Sequence, residues 1–304
     1  PIKYLISPFC LFSNNTKFRL DLRLVDSSGT INLKLWSEGN EHGLQELYNL
    51  IRIDNVIFLQ GKISEFNNYL EINSNFKNNE LKILSPGEFE SGSFINRSEK
   101  NVDQLYLQLI GLVNSVKNVE LKNVLDLFFS DENFVNMLKT MPASVYRHGS
   151  YIGGLLEHTF EISLLCGNIS SVYPEIDRDL LITGAILHDI GKIKQFKLTN
   201  KIDYTNEGSL LGSIHLGVKM LDDKIEQLPI SNLIKLKLRH ILLSNPGKKE
   251  YGAAKEPSFP EALVLSKVKE LCSKTSFILK LKKENNDSDN NYFYNKDFGN
   301  MFLK

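Results

Sequence analysis

The strongest chemical signal in the chain is an imidazole beside a carboxylate, His188-Asp189, within Ala185-Ile186-Leu187-His188-Asp189-Ile190-Gly191-Lys192. This run closes an apolar stretch that begins near Asp179, so both side chains emerge where a buried helix would end in glycine. Together they offer a nitrogen and an oxygen donor to one divalent ion. Taken singly, a His-Asp pair also serves as a helix cap or surface ion pair, and a lone helix histidine is commonly a satisfied core residue. His158, in Gly153-Gly154-Leu155-Leu156-Glu157-His158-Thr159, adds a second histidine on a separate predicted helix, as a three-ligand centre requires. Lys192, three positions after Asp189, would stand beside the ion and suit a phosphate oxygen. Asp189 and Lys192 are therefore the candidate catalytic residues, and His158, His188 and Asp189 the candidate ligands.

The elements that must position these groups differ between the two halves of the chain. From Lys17 to Trp36, Phe18, Leu20, Leu22 and Leu24 alternate with Arg19, Asp21 and Arg23, then Ile31, Leu33 and Leu35 alternate with Asn32 and Lys34 across the turn Asp26-Ser27-Ser28-Gly29. That pattern predicts a half-buried hairpin with a polar outer face. A short helix near His42 to Leu50 and two further strand-like runs, Asn55 to Ile63 and Tyr69 to Ile72, complete about five strands. A small Greek-key barrel with one helix follows, of which the oligonucleotide-binding (OB) barrel is the commonest design. Turn formers without a period fill 85–101, and from Val102 to about Leu281 the apolar spacing is helical. The expected fold class is α+β multidomain: an OB-like barrel over 1–84, a linker over 85–101, an all-α domain over 102–283 and a polar, aromatic tail over 284–304.

Lysine plus arginine number 36 and aspartate plus glutamate 36, so no global basic field exists to hold nucleic acid, and such contact must come from a local patch. The three cysteines, Cys10, Cys166 and Cys272, form no Cys-x-x-Cys pair and read as reduced thiols rather than a disulfide framework. No apolar run approaches the ~18 residues of a membrane span, and the first residues carry no long apolar segment with a small-residue cleavage site, so the expectation is a cytoplasmic protein without a membrane partner.

At this point the sequence resembles a known family. Arg147-His148-Gly149-Ser150-Tyr151-Ile152-Gly153-Gly154-Leu155-Leu156-Glu157-His158-Thr159, Leu187-His188-Asp189-Ile190-Gly191-Lys192 and Tyr204-Thr205-Asn206-Glu207-Gly208-Ser209-Leu210-Leu211-Gly212 are similar to the HD domain of the YhaM-type 3'-to-5' exoribonucleases. So are Arg239-His240-Ile241-Leu242-Leu243-Ser244 and the loop from Gly247 to Glu261, while Leu22 to Gly29 and Leu33-Lys34-Leu35-Trp36 resemble the family's N-terminal OB barrel. The resemblance implies an all-α HD domain that hydrolyses single-stranded RNA or DNA from the 3' end with a divalent metal, often manganese. It implies metal ligation by His158, His188 and Asp189, with His240 as a further ligand at a second ion position. Lys192 matches the lysine after the His-Asp pair, and His148 the first of two adjacent family histidines, the second being Gly149 here.

Elsewhere the match fails in one chemical direction. Ser213 stands where the family has a histidine, and His215, two residues on, lies about 200° further round a helix at ~100° per residue and does not replace it. Asn245 stands in place of another histidine, and Lys269 in place of the closing aspartate, with Glu270 one residue off on a different face. Neutral oxygens are weak ligands and an ammonium repels the ion, so two-metal hydrolysis reads as weakened or lost. Two arrangements stay open: one ion held by His158, His188 and Asp189, or Lys269 reaching into the pocket to pair Asp189 in place of an ion. On the barrel, Arg19, Arg23, Asn32 and Lys34 are candidate phosphate or base contacts, and Trp36, Phe66 and Tyr69 candidate stacking rings, with Phe18 and Phe58 assigned to the core. Three functions are consistent with these residues: a metal-dependent exonuclease of reduced activity, a non-catalytic single-strand-binding protein, and a nucleotide sensor using the old pocket. Homo-oligomerisation is left open.

Overall fold

The computed structural model describes residues 2–14, 17–26, 29–37, 39–66, 69–75, 81–85, 87–90, 92–146, 148–226, 228–284, 291–295 and 298–302; at 2–10, 12–14, 17, 66, 75 and 284 the description covers the backbone alone. The chain divides into two compact units, one of residues 1–96 with 198–203, the other of 97–197 with 204–304.

In the first unit, β1 (Ile2–Asn14), β2 (Lys17–Asp26), β3 (Gly29–Trp36), α1 (Glu41–Leu50), β4 (Val56–Leu59), β5 (Lys62–Phe66), β6 (Tyr69–Asn75) and β7 (Leu81–Ile83) build one mixed seven-stranded sheet in the order β5-β6-β3-β2-β1-β4-β7. The β2-β3 hairpin forms as the alternation requires, with Leu20, Leu22, Leu24, Leu33 and Leu35 buried. β3 pairs with β6 in parallel and β6 with β5 antiparallel. β4 and β5 are joined by only Gln60-Gly61, yet five strand spacings separate them in the order, ~24 Å if the sheet were flat. A link that short reaches ~11 Å, so the sheet must curl on itself as an OB-type Greek key does, although no ladder closes β4 onto β5 among the described residues. The bend falls at Gly61, where a Cβ would lie 2.6 Å from Ile72 Cγ2. Leu44, Leu47 and Ile51 of α1 and its C-cap join Ile57, Leu59 and Ile72 in the core. Ile57 and Leu59 hold the core phase of β4, whereas Phe58, expected in the core, is half-buried outside that cluster.

The second unit is helical. It comprises α2 (Val102–Asn114), α3 (Val119–Phe129), α4 (Glu132–Thr140), α5 (Gly154–Val172), α6 (Arg178–Leu187), α7 (Lys192–Gln195), α8 (Asn206–Ile225), α9 (Asn232–Ser244) and α10 (Pro260–Glu284). Short polar side chains start most of these helices: Asn101, Asn118, Asp131, Asp177, Thr205 and Ser231 each accept a hydrogen bond from a first-turn N–H. α5 begins instead on Gly153, at φ 88°, and Gly154, whose Cβ would lie 2.2 Å from the Gly149 carbonyl oxygen. One hairpin, whose residues 198–203 group with the first unit, departs from the all-α expectation over 102–283, and a second forms within the tail. β8 (Phe196–Leu198) pairs with β9 (Ile202–Tyr204), and β10 (Tyr292–Asn295) with β11 (Gly299–Phe302). No helix among the described residues is long and apolar enough to cross a membrane.

Candidate metal centre

α6 is buried along nearly its whole length, so the residues at its end are delivered into the interior. His188 is its C-cap, and Asp189 follows at 5% exposure. The turn into α7 crosses α8 so closely that a Cβ on Gly191 would lie 1.9 Å from the Ser213 carbonyl oxygen and 2.4 Å from the Gly217 nitrogen. Only glycine fits there, and that crossing fixes where Asp189 and Lys192 stand. α5 brings His158 in from the other side, one turn inside its glycine start, with the His158 and His188 rings 5.4 Å apart.

His158 Nε2 and His188 Nε2 are buried without a hydrogen-bond partner, Asp189 Oδ2 is buried beside them with the Lys192 ammonium 2.7 Å away, and the three residues present ligand atoms within 4.8 Å of one another. His188 Nδ1 lies 2.7 Å from the Ala185 carbonyl, which can only accept, so Nδ1 carries the proton. The neutral ring therefore turns a bare Nε2 lone pair toward Asp189 Oδ2, 3.2 Å away, with His158 Nε2 3.5 Å from the same oxygen. Two imidazole nitrogens and a carboxylate oxygen thus converge in a buried pocket, a donor set that suits one divalent cation. These three residues fit one ion.

The remaining wall fits a second ion badly. Lys269 Nζ, from α10, lies 2.9 Å from Asp189 Oδ1 and 2.5 Å from Asn245 Oδ1. Asn245 is buried and held in one orientation, its Nδ2 donating to the carbonyls of His188 at 2.7 Å and Leu242 at 3.2 Å, which turns Oδ1 toward the lysine. Lys192 Nζ lies 2.7 Å from Asp189 Oδ2. One carboxylate thus answers two ammoniums. Burial pushes the Asp189 carboxyl upward, but the Lys192 and Lys269 ammoniums against it outweigh that and hold the group well below the usual carboxylate range. Burial likewise lowers Lys269, only partly offset by Asp189.

Burial drives His158 well below the ordinary imidazole range and lowers His188 as well. Between those folded values and ~6.5, the unfolded chain binds more protons than the folded one, so stability rises with pH through that window. Thermal melting in the presence of a chelator is therefore expected to fall by several degrees between pH 7.5 and pH 5. A melting temperature that climbs on acidification would contradict the buried, neutral imidazoles.

Other expected site residues lie elsewhere. His240 is outside this group: its Nε2 accepts from the Ser258 N–H at 3.1 Å, and its ring packs on Phe259 at 5.1 Å. His215 is exposed on α8, beyond the kink at Gly212. His148 does reach the site, its ring 4.9 Å from that of His158 and its Nε2 3.3 Å from Ser273 Oγ. Ser273 escaped the sequence reading; its signal was the i+4 spacing from Lys269, which puts both on one face of α10.

On the barrel unit, the Arg19 guanidinium is bound to both Asp21 oxygens at 2.7 and 2.9 Å and lies 5.2 Å over the Trp36 ring. Lys34 pairs with Glu71 at 2.6 Å. Two expected phosphate contacts thus already have carboxylate partners, and the Trp36 face is covered. Arg23 and Tyr69 are exposed, Tyr69 at 76%, while the Phe66 side chain lies outside the described residues.

Residues 155–272 match the HD domain family. Over 300 residues the chain is 27% identical to a protein of Listeria innocua named 3'-5' exoribonuclease YhaM, covering 94% of this chain and 91% of the relative. Over 259 residues it is 30% identical to a protein of the same name from Oceanobacillus iheyensis, covering 83% of this chain and 77% of that one.

Proposed function

Because this chain belongs to the YhaM family of 3'-5' exoribonucleases, we propose that it binds single-stranded RNA and hydrolyses it weakly or not at all. The observation that carries this reading is the Lys269 ammonium 2.9 Å from Asp189 Oδ1, at the position where the family resemblance calls for a closing aspartate. Exchanging a carboxylate for an ammonium moves the local charge by two units against a dication. Asn245 reinforces the exchange by presenting an oxygen to the lysine rather than an imidazole to an ion.

The protein's own groups retain part of a phosphodiester site. When bound by His158, His188 and Asp189, a divalent ion supplies Lewis-acid polarisation of a phosphoryl oxygen and a more acidic water. The Ala185 carbonyl holds His188 in the ligating tautomer. Lys192 places a cation beside the scissile position, suited to orienting a phosphate oxygen. Lys269, at the closing-aspartate position, is a fixed positive charge that pairs Asp189 and cannot itself activate water.

The test is a 5'-labelled single-stranded RNA incubated with the protein and manganese, with the Listeria innocua relative as the active control. The expected outcome is binding, read by fluorescence anisotropy, with the oligomer keeping its length while the control shortens it. Shortening at the control's rate would overturn the reading.

A further inference from the structure

We propose that the exposed aromatic face of the C-terminal hairpin is a base-stacking site for single-stranded RNA, an inference that rests on the RNA-binding reading above. In the β10-β11 register Tyr292 faces Phe302 and Tyr294 faces Asn300. Those residues alternate with Phe293, Asn295, Gly299 and Met301, which are half-buried, so the two tyrosines and Phe302 share one open face at 61, 70 and 60% exposure. The hairpin is fastened to the helical body near its turn, where Phe298 stacks on Phe277 of α10 with centroids 5.9 Å apart. A two-stranded hairpin has little core of its own. The Tyr292–Phe302 pair braces the two strands, while Tyr294, opposite Asn300, has no ring across from it and extends the aromatic face toward water.

Spacing and charge select the occupant. Tyr292 and Tyr294 are two residues apart on a strand, hence ~6.7 Å apart along the same face. A base is ~3.4 Å thick, so one base entering between the rings would meet each at stacking distance. The Phe302 ring packs against Tyr292 at 5.4 Å with the two planes 64° apart. Beyond Phe277 the last turn of α10 carries Lys282 and Lys283, Lys283 held 2.7 Å from Glu99, so Lys282 is the charge there that complements a phosphate chain.

Anisotropy titration of a fluorescent single-stranded RNA tests the assignment, comparing the full chain with a Tyr292→Leu/Tyr294→Leu variant and a Tyr292→Phe/Tyr294→Phe variant. The leucine variant keeps apolar area but loses the π-faces and is expected to bind about tenfold more weakly or worse, while the phenylalanine variant stays within about twofold. Asn300→Glu adds a carboxylate to the same face without touching a ring, and several-fold weakening is expected there too, which guards against misfolding of the leucine variant. Equal affinity of the leucine variant and the parent would overturn the site while leaving RNA binding intact. A parent that binds no RNA at low salt would overturn both. A parent dimer in sedimentation that becomes monomeric in the leucine variant would overturn the site in favour of self-association.

Discussion

Lys269→Asp combined with Asn245→His is expected to raise manganese-dependent trimming of a single-stranded RNA by about a hundredfold or more over the parent chain. In the parent, the pocket holds one carboxylate and two ammoniums around neutral imidazoles. Replacing one ammonium by a carboxylate changes its formal balance from one positive to one negative charge. At the effective dielectric of protein sites, a unit-charge pair ~4 Å apart is worth about 4 kcal/mol, and a dication doubles it, so ion affinity should gain by orders of magnitude even after desolvation costs. The histidine is needed because Asn245 Oδ1 now serves the lysine, leaving an amide with no partner once the ammonium is gone. Gel analysis of a 5'-labelled oligomer reads the outcome. A variant that folds and binds manganese yet trims no faster than the parent would show that Lys269 is not what withholds hydrolysis.

Asp189→Asn is expected to destabilise the helical unit by about 3–5 kcal/mol, the usual cost of leaving a buried charge without its partner. Both oxygens of Asp189 serve ammoniums, at 2.7 Å from Lys192 and 2.9 Å from Lys269, so the asparagine variant strands two positive charges around a buried amide. For a unit of this size such a loss lowers the melting temperature by ~10 °C. Adding Lys269→Met should return a large part of the loss, because one stranded ammonium is then removed and the long side chain keeps its packing. Thermal melts of the four chains in that cycle measure the coupling. An Asp189→Asn variant that melts with the parent would contradict the ion-paired core.

His158, His188 and Asp189 were legible because their positions are fixed by local rules: a glycine-started helix for the first, a buried helix ending at a glycine for the other two. The Lys269 contact was readable only as one of two arrangements, since it spans 80 positions and depends on how α10 packs. The contact of His240 with a backbone N–H 18 residues away was not readable from the motif, because it depends on a loop with no period of its own. Likewise Arg19 and Lys34 looked like phosphate contacts from alternation alone. Their neutralisation needs a neighbour two residues along the strand in one case and the parallel β3-β6 pairing in the other. β1 went unread because Pro8 interrupts the expected pattern, although it is the longest strand of the sheet and pairs with both β2 and β4. The three-residue strands β8 and β9 are shorter than any period can register.

Counting bound manganese by equilibrium dialysis with elemental analysis, at saturating metal, tests most directly whether an ammonium has displaced an ion. The parent chain is predicted to hold no more than one ion, in the set of His158, His188 and Asp189, and the Lys269→Asp/Asn245→His chain to hold two. Two tightly bound ions in the parent would contradict the account, because Lys269 could not then be standing against Asp189.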